Sequence, residues 1–141
     1  MPQSRWTGRR IALVHIYFDA ATNQETALNG LGVWLRQTNG TVSTYMKKVS
    51  GLTSVQAELA ALDFALEHAH QLEGETTFMI YSDAETVVRA LEHRFLKDQT
   101  MRPLFVKALT LYDELPHKFI KWIPRAENRS HDVAKRALMM E

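Results

Sequence analysis

Residues 76–95 read TTFMIYSDAETVVRALEHRF, and this stretch does most to decide the fold. Its first seven residues are mainly β-branched and aromatic, which is typical of a short strand. The residues after Asp83 have the composition and spacing of a helix, so a helix is expected to follow the strand directly. Asp83 therefore marks a strand-to-helix junction, and ligands of α/β sheets bind beyond such strand ends.

A second run of β-forming residues, RIALVHIYF at positions 10–18, is expected to form a buried strand that ends at Asp19. The dipeptide Asn39-Gly40 indicates a hairpin between two further strands, because both central residues of such a turn must accept positive φ. The strands on either side of it are expected at residues 31–37 and 42–49, and a fifth strand at residues 119–123.

Residues 54–72 form the clearest helix, since they are rich in Ala, Leu and Glu and begin with Ser54 as the N-cap. Glu58 lies one turn into this helix, on its apolar side. Asp132 lies in the first turn of the last helix, where the helix dipole favours a carboxylate. The remaining helices are expected after Asp83 and at residues 101–115 and 130–140.

The elements follow the order β-β-β-α-β-α-α-β-α, in which a hairpin precedes alternating helices and strands. This order predicts an α/β fold, with a mixed sheet flanked by helices. No repeat or linker divides the sequence, so residues 1–141 are predicted to form a single domain. Residues 1–9 are expected to form a flexible N-terminal tail.

The composition is that of a globular domain, with 45% hydrophobic residues, 23% charged residues and no cysteine for disulfides or thiolate sites. The apolar run at residues 11–14 is too short to span a membrane, and the N-terminal residues lack the apolar segment of a secretory signal. A cytoplasmic protein without a membrane partner is therefore expected. The net charge of +1 permits a nucleic-acid partner but predicts only modest affinity for it.

The predicted arrangement brings four acidic side chains within reach of one sheet edge. Each alone has an ordinary explanation as a helix cap, a helix-dipole partner, a turn residue or a solvated helix residue. Together they predict a metal site, because clustered carboxylates repel one another unless protons or cations intervene. Oxygen ligands favour Mg²⁺ or Mn²⁺ over zinc, and two such ions can act on a phosphodiester. The four are Asp19, Glu58, Asp83 and Asp132.

Four segments occur in an order that resembles a known family: IYFDAAT at 16–22, SVQAELAAL at 54–62, IYSDAETVVRAL at 80–91 and FIKWIPRAENRSHDVAKRAL at 119–138. They are similar to ribonuclease H type 1, most closely its small bacterial reverse-transcriptase-like branch. The resemblance implies a five-stranded sheet in the order 3-2-1-4-5 with strand 2 antiparallel. It also implies hydrolysis of the RNA strand of RNA–DNA hybrids with two Mg²⁺ or Mn²⁺ ions and no organic cofactor.

The resemblance also implies roles for individual residues. The family's acidic set falls on the same four carboxylates, with Asp19 bridging the two metal ions and the other three completing their ligand shells. His131 could partly substitute for a mobile loop His of longer members, although an exposed residue in the first helical turn is its more ordinary interpretation. The expected substrate contacts are Thr53, Ser54, Asn128 and Arg125, although Thr53 could equally start the helix and Asn128 could be a cap.

Three departures from the family pattern bear on activity. An Asn pair that reads the minor groove of the hybrid is replaced by Ser54 and Val55. Arg125 stands roughly where longer members carry the mobile His, and the connection RFLKDQTM at 94–101 lacks a basic cluster for phosphates. Two alternatives therefore stay open: a ribonuclease H-like nucleic-acid-binding or accessory module with little or no cleavage, and a nuclease of the same fold with another nucleic-acid substrate.

Overall fold

The computed structural model describes residues 12–72 and 76–141, so the tail predicted at residues 1–9 lies outside the described residues. Within them the chain forms a sheet, four α-helices and two short 3₁₀ turns. None of these helices is long and apolar enough to cross a membrane. The elements are β1 (Ala12–Asn23), β2 (Leu28–Arg36), β3 (Val42–Ser50), α1 (Ser54–His70), β4 (Thr76–Ser82), α2 (Glu85–His93), α3 (Arg102–Asp113), β5 (His117–Trp122) and α4 (His131–Leu138), with 3₁₀ turns at Gln99–Met101 and Arg125–Glu127.

The five strands lie in the order β3-β2-β1-β4-β5, with β2 antiparallel to β1 and β4 parallel to it. This confirms the predicted strand order. The prediction that the first strand ends at Asp19 is wrong, because β1 continues in its hairpin with β2 as far as Asn23. Its pairing with β4 stops earlier, at Tyr17. Asp19 thus lies just past the point where β1 loses its parallel neighbour, and its side chain borders an open sheet end.

The hairpin predicted at Asn39-Gly40 joins β2 to β3. Its loop is longer than a two-residue turn, and the N–H of Gln37 closes it on the carbonyl of Thr41 at 2.9 Å. Positive φ is needed at Gly40, where it is 88°, whereas the side chain of Asn39 accepts the N–H of Thr41 at 2.9 Å. The expectation of positive φ at both residues is therefore wrong, because the longer loop does not require it.

The two faces of the sheet are covered differently. On one face, alternate apolar residues of β1 and β2 pack with α1 into the main core. On the other face, α4 packs closely on β2 and also contacts β1 and β3. Gly30 and Gly32 make this approach possible, because a methyl group at Gly32 would lie 2.8 Å from the Cα atom of Ala134. These glycines therefore determine where α4 begins relative to the end of β1.

Asp63 provides a test of how burial affects stability. It lies in α1, which packs against α3; it is 4% exposed, and its Oδ1 atom has no hydrogen-bond partner. Burial is the largest cause and raises its pKa to about 7. The positive charge of Lys107 lowers the pKa, and the negative charge of Glu67 raises it. The folded protein therefore keeps a proton on Asp63 that the unfolded chain releases near pH 4.

We expect Asp63→Asn to remove a pH dependence of stability. Because its folded-state pKa is raised, Asp63 should lower the free energy of unfolding as pH rises from about 4 to about 7, and its contribution should then level off. The variant should match the wild type near pH 4 and exceed its stability at pH 8, as measured by urea unfolding. Asp113→Asn is the opposite control: Arg94 lowers the pKa of Asp113, so this variant should lose stability chiefly above pH 4. Equal pH slopes for wild type and Asp63→Asn would contradict the assignment.

Candidate active site

Asp19 is the centre of the site. The residue is 4% exposed, and its Oδ1 atom accepts the N–H of Ala20 at 2.9 Å. The Nδ1 atom of His131 lies 2.9 Å from Asp19 Oδ2. Burial raises the pKa of Asp19, the hydrogen bond from His131 opposes this, and the negative charge of Asp83 adds to it. A buried carboxylate in this position is costly without a positive charge nearby.

Glu58 meets Asp19 at one backbone amide. Its Oε1 atom accepts the same Ala20 N–H at 3.0 Å, so the two carboxyl groups are held side by side. Its Oε2 atom is buried and has no hydrogen-bond partner. Burial, followed by the charge of Asp19, raises the pKa of Glu58 to about 10. Glu58 therefore holds a proton at neutral pH unless a cation takes its place.

Asp83 follows the last residue of β4 and is held by Asn128. The Nδ2 atom of Asn128 donates to Asp83 Oδ1 at 2.6 Å and to the carbonyl of Phe18 at 3.0 Å. The Oδ1 atom of Asn128 accepts the N–H and the hydroxyl of Ser130 at 3.0 and 2.6 Å. Asp83 does not cap α2, whose N-cap is Ala84. Asn128 thus ties the loop before α4 to β1 and fixes the direction of the Asp83 carboxylate.

The first turn of α4 places His131 and Asp132 differently from the expectation. His131 is half-buried against Asp19, so its interpretation as an exposed residue is wrong. Asp132 is exposed. Among residues 12–72 and 76–141, no three His, Asp or Glu side chains are arranged as they stand to hold a metal ion. The structure brings Asp19, Glu58 and Asp83 together with His131, whereas Asp132 is exposed in the first turn of α4.

Of the expected substrate contacts, Asn128 bonds to Asp83 and Ser54 lines a pocket together with Glu58. Thr53, and not Ser54, caps α1, because its side chain accepts the Gln56 N–H at 3.2 Å and the Gln56 side chain accepts the Thr53 N–H at 2.9 Å. Ser54 is exposed at a groove of about 560 Å³ beside the start of α1. Arg125 is exposed in the 3₁₀ turn before α4. The substrate contacts of these residues and of Asn128 stay predictions.

Two contributors to the site were not predicted from the sequence. The backbone N–H of Ala20 orients both Asp19 and Glu58, and no side-chain pattern indicates a backbone donor. The indole N–H of Trp122 donates to the carbonyl of Asp83 at 3.2 Å, which steadies the end of β4. Trp122 lies exposed at the end of β5, and no pattern in the sequence indicates this contact.

The family model described as "Reverse transcriptase-like" matches residues 17–137, which is most of the chain. The chain belongs to this family. The reverse-transcriptase-like chain has the fold of ribonuclease H type 1, which confirms the resemblance drawn from its motifs. The four acidic residues all fall within the matched segment.

Known relatives and solved structures agree with this family. The reverse-transcriptase-like chain is 25% identical over 130 residues to the Enterococcus faecalis protein named "Putative hydrolase EbsB", covering 92% of this chain and 96% of that protein. It is 28% identical to RNase H1 from the halophilic archaeon Halobacterium salinarum, with a TM-score of 0.81 and coverage of 90% and 98%. The RNase H domain of a Mycobacterium tuberculosis protein, at 24% identity, has a TM-score of 0.81 and coverage of 91% and 94%, which shows a shared fold.

Proposed function

We propose that this protein is a metal-dependent endonuclease that hydrolyses the RNA strand of RNA–DNA hybrids. The observation that carries the proposal is the buried carboxyl of Glu58, which lies beside Asp19 with its Oε2 atom unpartnered. Two adjacent buried carboxyl groups repel each other when ionised unless a proton or a cation intervenes, and the unpartnered Oε2 atom is an acceptor that a cation could satisfy. The similarity to the halobacterial RNase H1 and to LC11-RNase H1, a protein of the same fold solved with an RNA/DNA hybrid, supports the choice of substrate.

The donor set fits hard divalent cations. Asp19, Glu58 and Asp83 supply carboxylate oxygens only, which suits Mg²⁺ or Mn²⁺. The unpartnered Oε2 atom of Glu58 is the kind of acceptor that a cation would satisfy. Asp132, which is exposed in the first turn of α4, would complete the ligand set. When bound, two such ions would lower the pKa of a water molecule and neutralise charge on the phosphate.

The chain's own residues fix the orientation of these acids. The Ala20 N–H holds Asp19 and Glu58 at a set spacing, and Asn128 prevents the Asp83 carboxylate from turning away. His131 donates to or shares a proton with Asp19 Oδ2, so it holds that oxygen in place. Charges that are oriented before the substrate arrives contribute most to stabilising a transition state.

One observation favours a second candidate function, a nucleic-acid-binding module with weak cleavage. Val55 is partly buried against the core beside the acidic cluster, so it offers no hydrogen-bonding group to the minor groove of a hybrid. Discrimination of RNA from DNA depends on such contacts and on the 2′-OH. A nuclease of the same fold that accepts another duplex is consistent with the same observation.

A cleavage panel distinguishes these functions. Labelled RNA–DNA hybrid, duplex RNA and duplex DNA are incubated with the purified protein in Mg²⁺ and then in Mn²⁺. We expect cleavage of the RNA strand of the hybrid and little cleavage of either duplex. Tight binding without cleavage in both metals would favour the binding module. Cleavage of a duplex in preference to the hybrid would favour the different nuclease.

Metal binding has a readout that does not require activity. We expect added Mn²⁺ to raise the melting temperature of the wild type, because a ligand that binds only the folded state stabilises it. Glu58→Gln should lose most of this rise, since it removes the charge but keeps the shape of the side chain. Glu67→Gln, an exposed residue of the same helix, is the matched control and should keep it. The absence of Mn²⁺ binding by titration calorimetry would reject the metal site.

A further inference from the structure

The sheet face that carries α4 also carries a row of aromatic side chains. Trp34, Tyr17 and Tyr81 are register partners across β2, β1 and β4, and Lys121 of β5 continues the row. The rings of Tyr17 and Tyr81 stack at a centroid distance of 4.5 Å, and Trp34 meets Tyr17 edge-on at 5.4 Å. All three aromatic side chains are half-buried. We call these three aromatic residues, together with Lys121 at the end of the row, the aromatic row.

A cleft of about 440 Å³ opens along one end of the aromatic row. Tyr17, Tyr81 and Lys121 line it from the sheet, and the loop before α4 lines it from the other side through Asn128 and Arg129. Its volume lies within the range of small-ligand sites, about 300–1,000 Å³. The cleft therefore has room for a group of about nucleotide size.

The charges around the cleft suit a phosphate. Lys121 and Arg129 are exposed at its rim, and Glu127 is the single acid in its lining. The guanidinium group of Arg129 lies 5.0 Å from the ring centroid of Trp34, so its position is fixed by an aromatic partner. Aromatic faces combined with cations are the features by which proteins bind single-stranded nucleic acid.

The cleft is continuous with the acidic cluster. Asn128 forms part of the cleft wall and also donates to Asp83 at 2.6 Å. Tyr17 precedes Asp19 by two residues on the same face of β1, a separation of about 7 Å along a strand. A nucleotide advances about 3.4 Å along the axis of a stacked duplex, and an extended unpaired nucleotide covers more than this. A strand with one phosphate at the carboxylates would reach the aromatic row after one or two nucleotides.

We propose that the cleft binds an unpaired nucleotide that continues the strand held at the acidic cluster. The base lies against Tyr17 and Tyr81, and the phosphate lies near Lys121 and Arg129. This inference rests on the proposed function, because it takes the acidic cluster as the site that holds the scissile phosphate. It makes the preferred substrate a hybrid flanked by a single-stranded extension, and the extension supplies affinity that the connection at 94–101 lacks.

The test is fluorescence anisotropy in EDTA and again in Ca²⁺, an oxygen-ligated cation that could hold a phosphate at the acidic cluster, with a gel check that the hybrid stays intact. A blunt RNA–DNA hybrid is compared with four hybrids of the same duplex, each with a four-nucleotide extension at the 5′ or 3′ end of one strand. We expect at least one extension to tighten binding about tenfold, since stacking of one base contributes enough for such a change. An abasic extension of the same length should lose most of the gain, because it keeps the phosphates but lacks the bases.

Variants test whether the cleft is the source of this gain in affinity. Lys121→Ala combined with Arg129→Ala should remove it and change the affinity for the blunt hybrid much less. Lys107→Ala combined with Lys118→Ala removes the same charge elsewhere: Lys107 pairs with Glu67, and Lys118 lies over Tyr112. This control should keep the gain. Tyr81→Leu should also lose the gain that depends on bases, with the fold checked by its melting temperature.

The outcomes test the nucleotide-binding cleft and the proposed endonuclease activity separately. If no extension tightens binding, or if the gain survives the Lys121→Ala/Arg129→Ala variant, the cleft is not the binding site. Equal losses in both double variants would indicate general charge attraction and would overturn it as well. A gain confined to the cleft in a protein that cleaves no hybrid would keep the cleft and reject the endonuclease, whereas cleavage without any gain would do the reverse.

Discussion

Asp19→Asn should abolish cleavage of RNA–DNA hybrid and leave the fold intact. The substitution removes one negative charge from the centre of the site, where Asp19 lies against Glu58 and His131. Asparagine keeps the shape of the side chain and can still accept the Ala20 N–H. Loss of one oriented group that stabilises charge in a transition state costs about 10²–10³ in turnover, and a metal-bridging carboxylate should cost at least as much. Turnover with saturating Mn²⁺ is the measurement.

Although Asp19→Asn should lose activity, it should not lose stability. Asp19 is buried beside other acids and its pKa is raised, so an ionised carboxylate there costs folding energy. In EDTA the melting temperature of Asp19→Asn should therefore equal or exceed that of the wild type. Asp113→Asn is the matched control, since Asp113 is exposed and pairs with Arg94 at 2.7 Å; it should keep full activity. A variant Asp19→Asn that cleaves as fast as the wild type would show that the site assignment is wrong.

The sheet could be predicted from the sequence where a strand has its own local signal. The strand at residues 76–82 has the bounds that its β-branched and aromatic residues predict. The end of β1 was missed because the residues after Asp19 are polar and small, and they stay extended by pairing with β2. Asn29, for example, donates to the hydroxyl of Thr22 at 2.9 Å and to the carbonyl of Leu52 at 3.0 Å. Such cross-strand partners are not visible in a local pattern.

The proximity of three of the four acids could be predicted from the sequence, whereas the contacts that orient them could not. Asp83 follows from the end of β4 and Glu58 from the phase of α1, whereas Asp19 lies near the end of the parallel pairing of β1 and not at the end of the strand itself. The contacts that orient them come from elsewhere in the chain, above all Asn128 and His131. Asn128 is 110 residues from Phe18, whose carbonyl it contacts, and no local pattern indicates that distance in sequence. The position of α4 decides these contacts, and two glycines decide the position of α4.

Gly32→Ala should destabilise the protein strongly and displace α4. A methyl group at this position would lie 2.8 Å from the Cα atom of Ala134 and 2.9 Å from the carbonyl carbon of Val133. Both are backbone atoms, so no side-chain rotation relieves the collision and the helix itself has to move. Overpacking of a core costs about 1–3 kcal/mol, and more where nothing can yield. We expect a loss of about 3 kcal/mol in the free energy of unfolding, measured in urea.

The same displacement should reduce activity beyond what unfolding explains, because the first turn of α4 holds His131 against Asp19 and also carries Asp132. Turnover is therefore measured at low temperature, where the variant is still folded, with circular dichroism as the check. Gly40→Ala is the matched control: its φ of 88° makes alanine unfavourable by about 1–2 kcal/mol, but its surroundings are open and far from α4. It should lose stability and keep activity per folded molecule. If Gly32→Ala is as stable and as active as Gly40→Ala, the close contact of α4 with β2 does not set the geometry of the acidic cluster.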